Sequence, residues 1–209
     1  MLNINEKLYG DLSEAVAFVI RFNPMVYTSG DIDMDDFETL LCSKCRHRIR
    51  DKVFLAPKAS CKKEYAILHN LEYGVSEKIK EELIAEFDIT EDDFRKICTK
   101  RGEIVYWQIT PQHIMKPIYE FNRGRKLKPC SKCGFIQYRL KEYEHEPAIP
   151  YYYITKEVLE DMHDINRTYE TFMRFYPKYF VSRRVYDYLI EKYPRMMFAP
   201  VFLKEEGAK

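Results

Sequence analysis

The tetrapeptide Cys-Ser-Lys-Cys occurs twice in the sequence, at residues 42–45 and again at residues 130–133. Two CxxC pairs of identical spacing predict one tetrahedral site with four thiolate ligands, because each pair can wrap a short turn around a single ion. Closed sites of four cysteines usually hold zinc. We therefore expect a structural zinc bound by Cys42, Cys45, Cys130 and Cys133, with two unrelated pairs of thiols as the alternative.

The two pairs are separated by 84 residues, from residue 46 to residue 129. This interval is far longer than the spacing of a compact zinc ribbon, so a shared metal would hold distant parts of the chain together. Four cysteines also leave no open position for a catalytic water. A thioredoxin-like redox pair is the competing use of a CxxC motif, but it leaves the second pair unexplained. Cys61 and Cys98 have no such partner, and we expect them in the core.

The chain of 209 residues is long enough to form one well-packed domain. We expect a single α+β domain over residues 1–209, with a mixed or antiparallel sheet and flanking helices. Within it, residues 40–56 and 128–140 are predicted to form a zinc-ribbon-like element. No apolar run approaches the length of a membrane span, and no signal peptide is recognised. Because thiolates persist in a reducing compartment, a cytoplasmic location is expected.

Charge is unevenly distributed, although the net charge is only +1. Residues 44–63 contain eight Lys or Arg, and residues 116–132 contain six. These basic segments predict either a phosphate-binding patch or cations that offset the −2 charge of a zinc with four thiolates. The second interpretation is favoured, because no known nucleic-acid module accompanies the patch. Acidic residues gather at residues 31–38 and 77–93, where they predict solvated helix faces or a surface for a basic protein.

Helix N-caps are predicted at three residues that precede amphipathic segments: Ser76, Thr155 and Ser182. Around Ser76 and Ser182 the likeness extends to seven positions at an offset of 106 residues. It indicates either a duplication or the recurrence of a common strand, cap and helix unit.

Further helices are predicted from Asp11 to about Phe22, where a capping-box pattern precedes apolar residues, and over a short segment that opens at Thr90. Strands are predicted where β-branched and aromatic residues gather, at residues 25–28, 49–56, 65–71, 103–110, 118–121, 135–140 and 196–203. Pro200 in the last of these suggests an edge or a bulge.

Motifs of known enzyme classes are absent from the sequence: it contains no GxGxxG, P-loop, GxSxG or HExxH. The five histidines are scattered, and His47, two residues after Cys45, is a weaker alternative metal ligand. Seventeen tyrosines suit a binding surface, but they equally suit half-buried strands.

The order of these features resembles the bacterial double-CxxCG motif family. The resemblance rests on a CxxC, a long insertion, Cys-Ser-Lys-Cys-Gly at residues 130–134, and a strand, cap and helix that end in an apolar strand. Residues 27–31 and 179–203 look similar too. Members are associated with immunity proteins, which bind and neutralise a cognate toxin, so the resemblance implies four zinc-binding cysteines and no catalytic residue. Arg46 stands where the family has Gly, and we expect the first turn to be distorted.

These features predict a non-enzymatic, zinc-stapled binding protein. By resemblance it is an immunity protein whose acidic or Tyr-rich face occludes a cognate bacterial toxin. The alternative is a zinc-ribbon protein that binds nucleic acid through residues 44–63 and 116–132. A third hypothesis, a redox or metal-dependent enzyme, requires an accessible thiolate of lowered pKa.

Overall fold

The computed structural model describes residues 3–22, 41–45, 63–67, 73–99, 101–118, 124–126, 128–136, 138–140, 152–172 and 176–204. These residues contain four α-helices: α1 (Ile4–Tyr9), α2 (Glu77–Glu86), α3 (Lys156–Asp161) and α4 (Arg183–Lys192). They also contain eleven strands: β1 (Ala17–Ile20), β2 (Tyr65–Ile67), β3 (Tyr73–Val75), β4 (Phe94–Cys98), β5 (Ile104–Ile109), β6 (Gly124–Lys126), β7 (Tyr138–Leu140), β8 (Tyr152–Ile154), β9 (Ile165–Phe172), β10 (Tyr176–Ser182) and β11 (Phe198–Leu203).

The strands form two main sheets, and the fold is of the α+β class, as predicted. A five-stranded sheet has the order β8-β11-β1-β10-β9, in which β8 and β11 run parallel and the other neighbours antiparallel. A four-stranded antiparallel sheet has the order β2-β3-β5-β4. Strands β6 and β7 form a separate two-stranded ribbon. Among the described helices, none is long and apolar enough to cross a membrane.

The centre of the five-stranded sheet is β1, and the predicted helix from Asp11 to about Phe22 is wrong. Every residue of β1 is buried between β10 and β11, and such a run has no apolar period that distinguishes a strand from a helix. The Asp11 carboxylate does accept a hydrogen bond from Ser13 N, at 2.8 Å, but this bond closes a turn. The first helix is α1, where Asn3 and Glu6 form the capping box.

Several other predictions in the described ranges are confirmed or corrected. Strands β2 and β5 confirm the predictions for residues 65–71 and 103–110 where these are described; residues 68–71 lie outside the described residues. The helix predicted at Thr90 is wrong beyond its first turn: Glu91–Asp93 form one 3-10 turn, and the chain then pairs with β5 as β4. Pro200 does not lie on a sheet edge, but pairing with β8 begins only at Val201, so its missing N–H costs no bond on that side.

Two units of the same plan surround Ser76 and Ser182, and both predicted caps are confirmed, as is that of Thr155. Each unit is a β-hairpin followed by a Ser-capped helix of ten residues: β2, β3 and α2 in one, β9, β10 and α4 in the other. After each helix the chain forms another strand of the same sheet, β4 or β11. This strand runs parallel to the strand before the helix, β3 or β10, and one antiparallel strand lies between the two. The repeated sequence pattern therefore corresponds to a repeated topology.

The two main sheets and the helices α2 and α4 share one apolar core. Between the sheets, the rings of Tyr73 and Tyr179 meet edge to face with centroids 5.9 Å apart. The helices touch where the ring of Phe87 meets that of Tyr188, with centroids 5.2 Å apart. A second apolar cluster lies between the five-stranded sheet and α3.

Some predictions lie outside the described residues. They concern the strands at residues 25–28 and 49–56, the acidic residues 31–38, and the side chains of Arg46, His47 and Cys61. Of the strand predicted at residues 118–121, only Ile118 is described, and it is not in a strand.

Candidate metal centre

The four cysteines of the two CxxC motifs meet in one cluster, although the motifs are 88 residues apart in the chain. Their sulfur atoms all lie within 4.8 Å of one another. Cys42 Sγ is 3.9 Å from Cys130 Sγ, and Cys45 Sγ is 3.5 Å from Cys133 Sγ. Four sulfurs about 2.3 Å from a central zinc would be about 3.8 Å apart. The donor atoms and their spacing therefore fit a single tetrahedral metal ion.

Backbone hydrogen bonds shape the second motif into a knuckle. Gly134 N donates to Cys130 O at 2.8 Å, and Cys130 N donates to Phe135 O at 2.9 Å. Lys132 N also donates to Cys130 Sγ, at 3.4 Å. Gly134 has a φ of 72°, in the left-handed region that glycine adopts at little cost. The Gly that follows the second CxxC in the sequence is thus required by the turn.

The second knuckle stands at the tip of the ribbon formed by β6 and β7, which pair on either side of it. The ring of Phe135, just beyond the knuckle, stacks on the ring of Tyr169 in β9 with centroids 6.0 Å apart. This contact places the ribbon against the five-stranded sheet. Strand β7 (Tyr138–Leu140) follows the second knuckle, and the zinc-ribbon-like element expected from residues 40–56 and 128–140 stays a prediction.

The middle residues of the two motifs join them to each other. Lys44 Nζ donates to Ser131 Oγ at 2.5 Å, and Lys132 Nζ donates to Ser43 Oγ at 2.7 Å. The two bonds are reciprocal, because each motif supplies one lysine donor and one serine acceptor. They hold one ammonium group against the middle serine of each motif. Sequence reasoning missed this pairing, and its signal was the identity of the two middle residues in both motifs.

Exposure differs among the four thiols. Cys42 is buried at 2% exposure, Cys45 and Cys130 are half-buried, and residue Cys133 is exposed. Cys98, at the end of β4, is half-buried and takes no part in the cluster.

The knuckle hydrogen bonds lower the pKa of two thiols. The N–H groups of Cys133 and Lys132 lower the pKa of Cys130 to about 6, and those of Cys45 and Lys44 lower the pKa of Cys42. Burial of the sulfur raises the pKa of Cys133. Because metals bind thiolates, the backbone of each knuckle favours the ligand form at its first cysteine.

Three of the five basic side chains that the structure describes in residues 44–63 and 116–132 have a partner. Lys44 and Lys132 donate to serines of the cluster, and Lys116 Nζ lies 2.8 Å from Glu157 Oε1. Lys63 and Lys128 are exposed. The choice between a phosphate-binding patch and cations that offset thiolate charge stays a prediction.

The fold and the cluster define a class: an α+β protein in which two distant CxxC knuckles form a possible metal-binding site. No protein-family model, no curated protein and no solved structure matches the chain. The resemblance to the double-CxxCG motif family therefore stays a prediction.

Proposed function

We propose that the chain is a zinc-stapled protein that acts by binding another protein, and that it is an immunity protein that occludes a bacterial toxin. The observation that carries the proposal is the closed cluster of four thiols. A tetrahedral ion held by four protein ligands has no position left for a substrate or a reactive water. A metal in this site therefore serves structure, and function is sought on the surface.

Zinc is the ion that suits this site best. Thiolates are soft ligands, and a tetrahedral set of four sulfurs selects zinc or iron. The lysines that join the motifs also supply two positive charges, which offset the charge of −2 on a zinc with four thiolates. Because the ligands are 88 residues apart, binding of one ion would stabilise the folded state by linking distant segments.

An acidic surface on and after α2 supports the choice of a protein partner. Glu81, Glu86 and Asp92 are exposed and form no ion pair with any described residue, whereas Glu77 and Glu91 are paired with Lys80. Exposed carboxylates attract a basic partner and raise its association rate. The tyrosines give less support: of those whose side chains are described, only Tyr153 is exposed.

The zinc is tested by metal analysis of the purified protein. We expect about one zinc per chain, lost together with thermal stability in Cys42→Ser and in Cys130→Ser. Cys98→Ser is the matched control and is expected to keep its zinc. A wild-type protein without metal, with reactive thiols in both motifs, would contradict the zinc part of the proposal.

The binding function is tested with the product of the neighbouring gene as the candidate toxin. Co-expression of this chain is expected to restore growth to cells that express that product. The double change Glu81→Lys and Glu86→Lys is expected to slow association about 10-fold without lowering the melting temperature. A charge reversal on α3, Lys156→Glu, is the control.

Failure to restore growth would contradict the immunity function. If, in addition, the protein bound a generic DNA duplex with an affinity that fell steeply with salt, the nucleic-acid alternative would replace it.

A further inference from the structure

The cluster consists of an inner pair and an outer pair of cysteines, and each motif contributes one residue to each. The inner pair is Cys42 and Cys130, of which Cys42 is buried. The outer pair is Cys45 and Cys133, of which Cys133 is exposed. Cys45 and Cys130 are both half-buried, so the outer pair is the one that contains no buried cysteine.

The outer pair is also close enough to react. Its sulfur atoms are 3.5 Å apart, against 3.9 Å in the inner pair. A disulfide bond is about 2.05 Å long, so the two sulfurs need to approach by about 1.5 Å.

The lysine–serine bonds keep the outer cysteines opposite each other. Lys44 precedes Cys45 and is bonded to the second motif, while Lys132 precedes Cys133 and is bonded to the first. Each outer cysteine is therefore tied to the opposite motif through its neighbour, by bonds that do not involve a sulfur atom.

We propose that Cys45 and Cys133 form an oxidation site, at which a peroxide converts the two thiolates to a disulfide between the motifs and so releases the metal. The inference rests on the proposed zinc site. It assigns to the outer pair a chemistry that the inner pair does not share.

The reaction balances with hydrogen peroxide as the oxidant. The Cys133 thiolate attacks the O–O bond, so that an S–O bond forms, the O–O bond breaks, and hydroxide leaves. The Cys45 thiolate then attacks the sulfenic sulfur, so that the S–S bond forms and a second hydroxide leaves. Two protons from solvent convert both hydroxides to water. The two sulfurs lose two electrons, and the two peroxide oxygens gain them.

Loss of the outer pair leaves two thiolates for the metal, half of a tetrahedral set. The disulfide takes over the link between the motifs, so the two parts of the chain stay joined after the metal leaves. Reduction by a thiol would regenerate the four ligands.

The test treats the purified, zinc-loaded protein with hydrogen peroxide. Released zinc is followed with a chromogenic chelator, and disulfides are mapped by mass spectrometry of non-reduced peptides. We expect one disulfide between the peptides of Cys45 and Cys133 per zinc released, and recovery of zinc binding after reduction. The Cys98→Ser variant is expected to release zinc at a rate within twofold of the wild type.

A disulfide within one motif, or retention of zinc in excess peroxide, would overturn the inference while the zinc site stood. If the protein as purified held no metal, the zinc proposal would fail separately. Peptide mapping of that metal-free protein would still decide the pairing: a link between Cys45 and Cys133 would keep the oxidation site, and any other link would remove it.

Discussion

The two Ser-capped units follow one plan but differ in the carboxylate that holds the cap. Ser76 Oγ donates to Glu64 and Ser182 Oγ donates to Asp164, both at 2.6 Å. Glu64 is exposed, whereas Asp164 is buried and also accepts hydrogen bonds from Arg184 and from Asp88 N. Because Asp88 follows α2, Asp164 joins one unit to the other. The same serine–carboxylate bond is thus an exposed contact within one unit and part of a buried contact between the units in the other.

The units also differ at the inward position four residues beyond each cap. In α2 this residue is Lys80, whose ammonium lies 3.7 Å from the centre of the Trp107 ring. In α4 it is Tyr186, whose ring stacks on that of Phe18 with centroids 3.5 Å apart. Both side chains are buried. A cation over an aromatic ring and a pair of stacked rings therefore fill equivalent positions, and variants can measure how far the equivalence extends.

The largest effect is expected from Tyr186→Ala. Removing the ring leaves a cavity against Phe18 and should cost about 4 kcal/mol of unfolding free energy. Urea denaturation measures the loss. The control Tyr186→Phe keeps the ring and loses the hydroxyl, which accepts a long hydrogen bond of 3.4 Å from Asn3 and also interacts with Asn5, so it should cost about 1 kcal/mol. A cost below about 1 kcal/mol for Tyr186→Ala would show that the stack does not anchor α4.

Next in size is Asp164→Asn, expected to cost about 3 kcal/mol at pH 7 because a buried carboxylate loses charge-assisted hydrogen bonds. The matched variant Glu64→Gln should leave the denaturation midpoint nearly unchanged, because Glu64 is exposed. Equal losses of stability in Asp164→Asn and Glu64→Gln would contradict the difference between the buried and the exposed carboxylate.

The Asp164 effect should also depend on pH. Burial raises the pKa of Asp164, but hydrogen bonds from Arg184, Ser182 and Asp88 N outweigh it and hold the pKa below 3.8. A depressed carboxyl pKa contributes stability that is present above the unfolded pKa and is lost as pH falls through the folded pKa. Denaturation at pH 7 and at pH 3 should therefore show a smaller gap between wild type and Asp164→Asn at the lower pH.

A smaller difference is expected between the caps themselves. Ser76→Ala should cost about 1 kcal/mol, the usual loss of an N-cap. Ser182→Ala should cost about 2 kcal/mol, because it also removes a donor from buried Asp164. Paired thermal melts compare the two, and a larger loss at Ser76 would reverse the ranking of the units.

The smallest effect is expected from Lys80→Met. A buried ion pair is often replaced by an apolar side chain at little cost, and the partners Glu77 and Glu91 remain solvated. We expect a change within about 1 kcal/mol in either direction by urea denaturation. A loss above about 3 kcal/mol would mean that the cation over Trp107 is needed for the core.

Local signals made part of this fold predictable. The caps at Ser76 and Ser182 could be predicted because an N-cap side chain bonds to the first turn of its own helix. The cysteine cluster could be predicted because each CxxC motif supplies half of the four ligands. The central strand β1 was missed because its burial depends on β10 and β11, which lie at the other end of the sequence. Likewise, the Lys–Ser bonds exist only once the two motifs have met.

The position of the cluster in the chain has a mechanical consequence. The four-stranded sheet lies entirely between the two CxxC motifs, whereas β1 and β8 to β11 lie outside them. With all four thiolates on one ion, tension applied to the chain ends would pass through the five-stranded sheet and the metal–sulfur bonds. The four-stranded sheet would bear no load until a metal–sulfur bond broke. Its apparent strength under pulling would then report on the metal and not on its own hydrogen bonds.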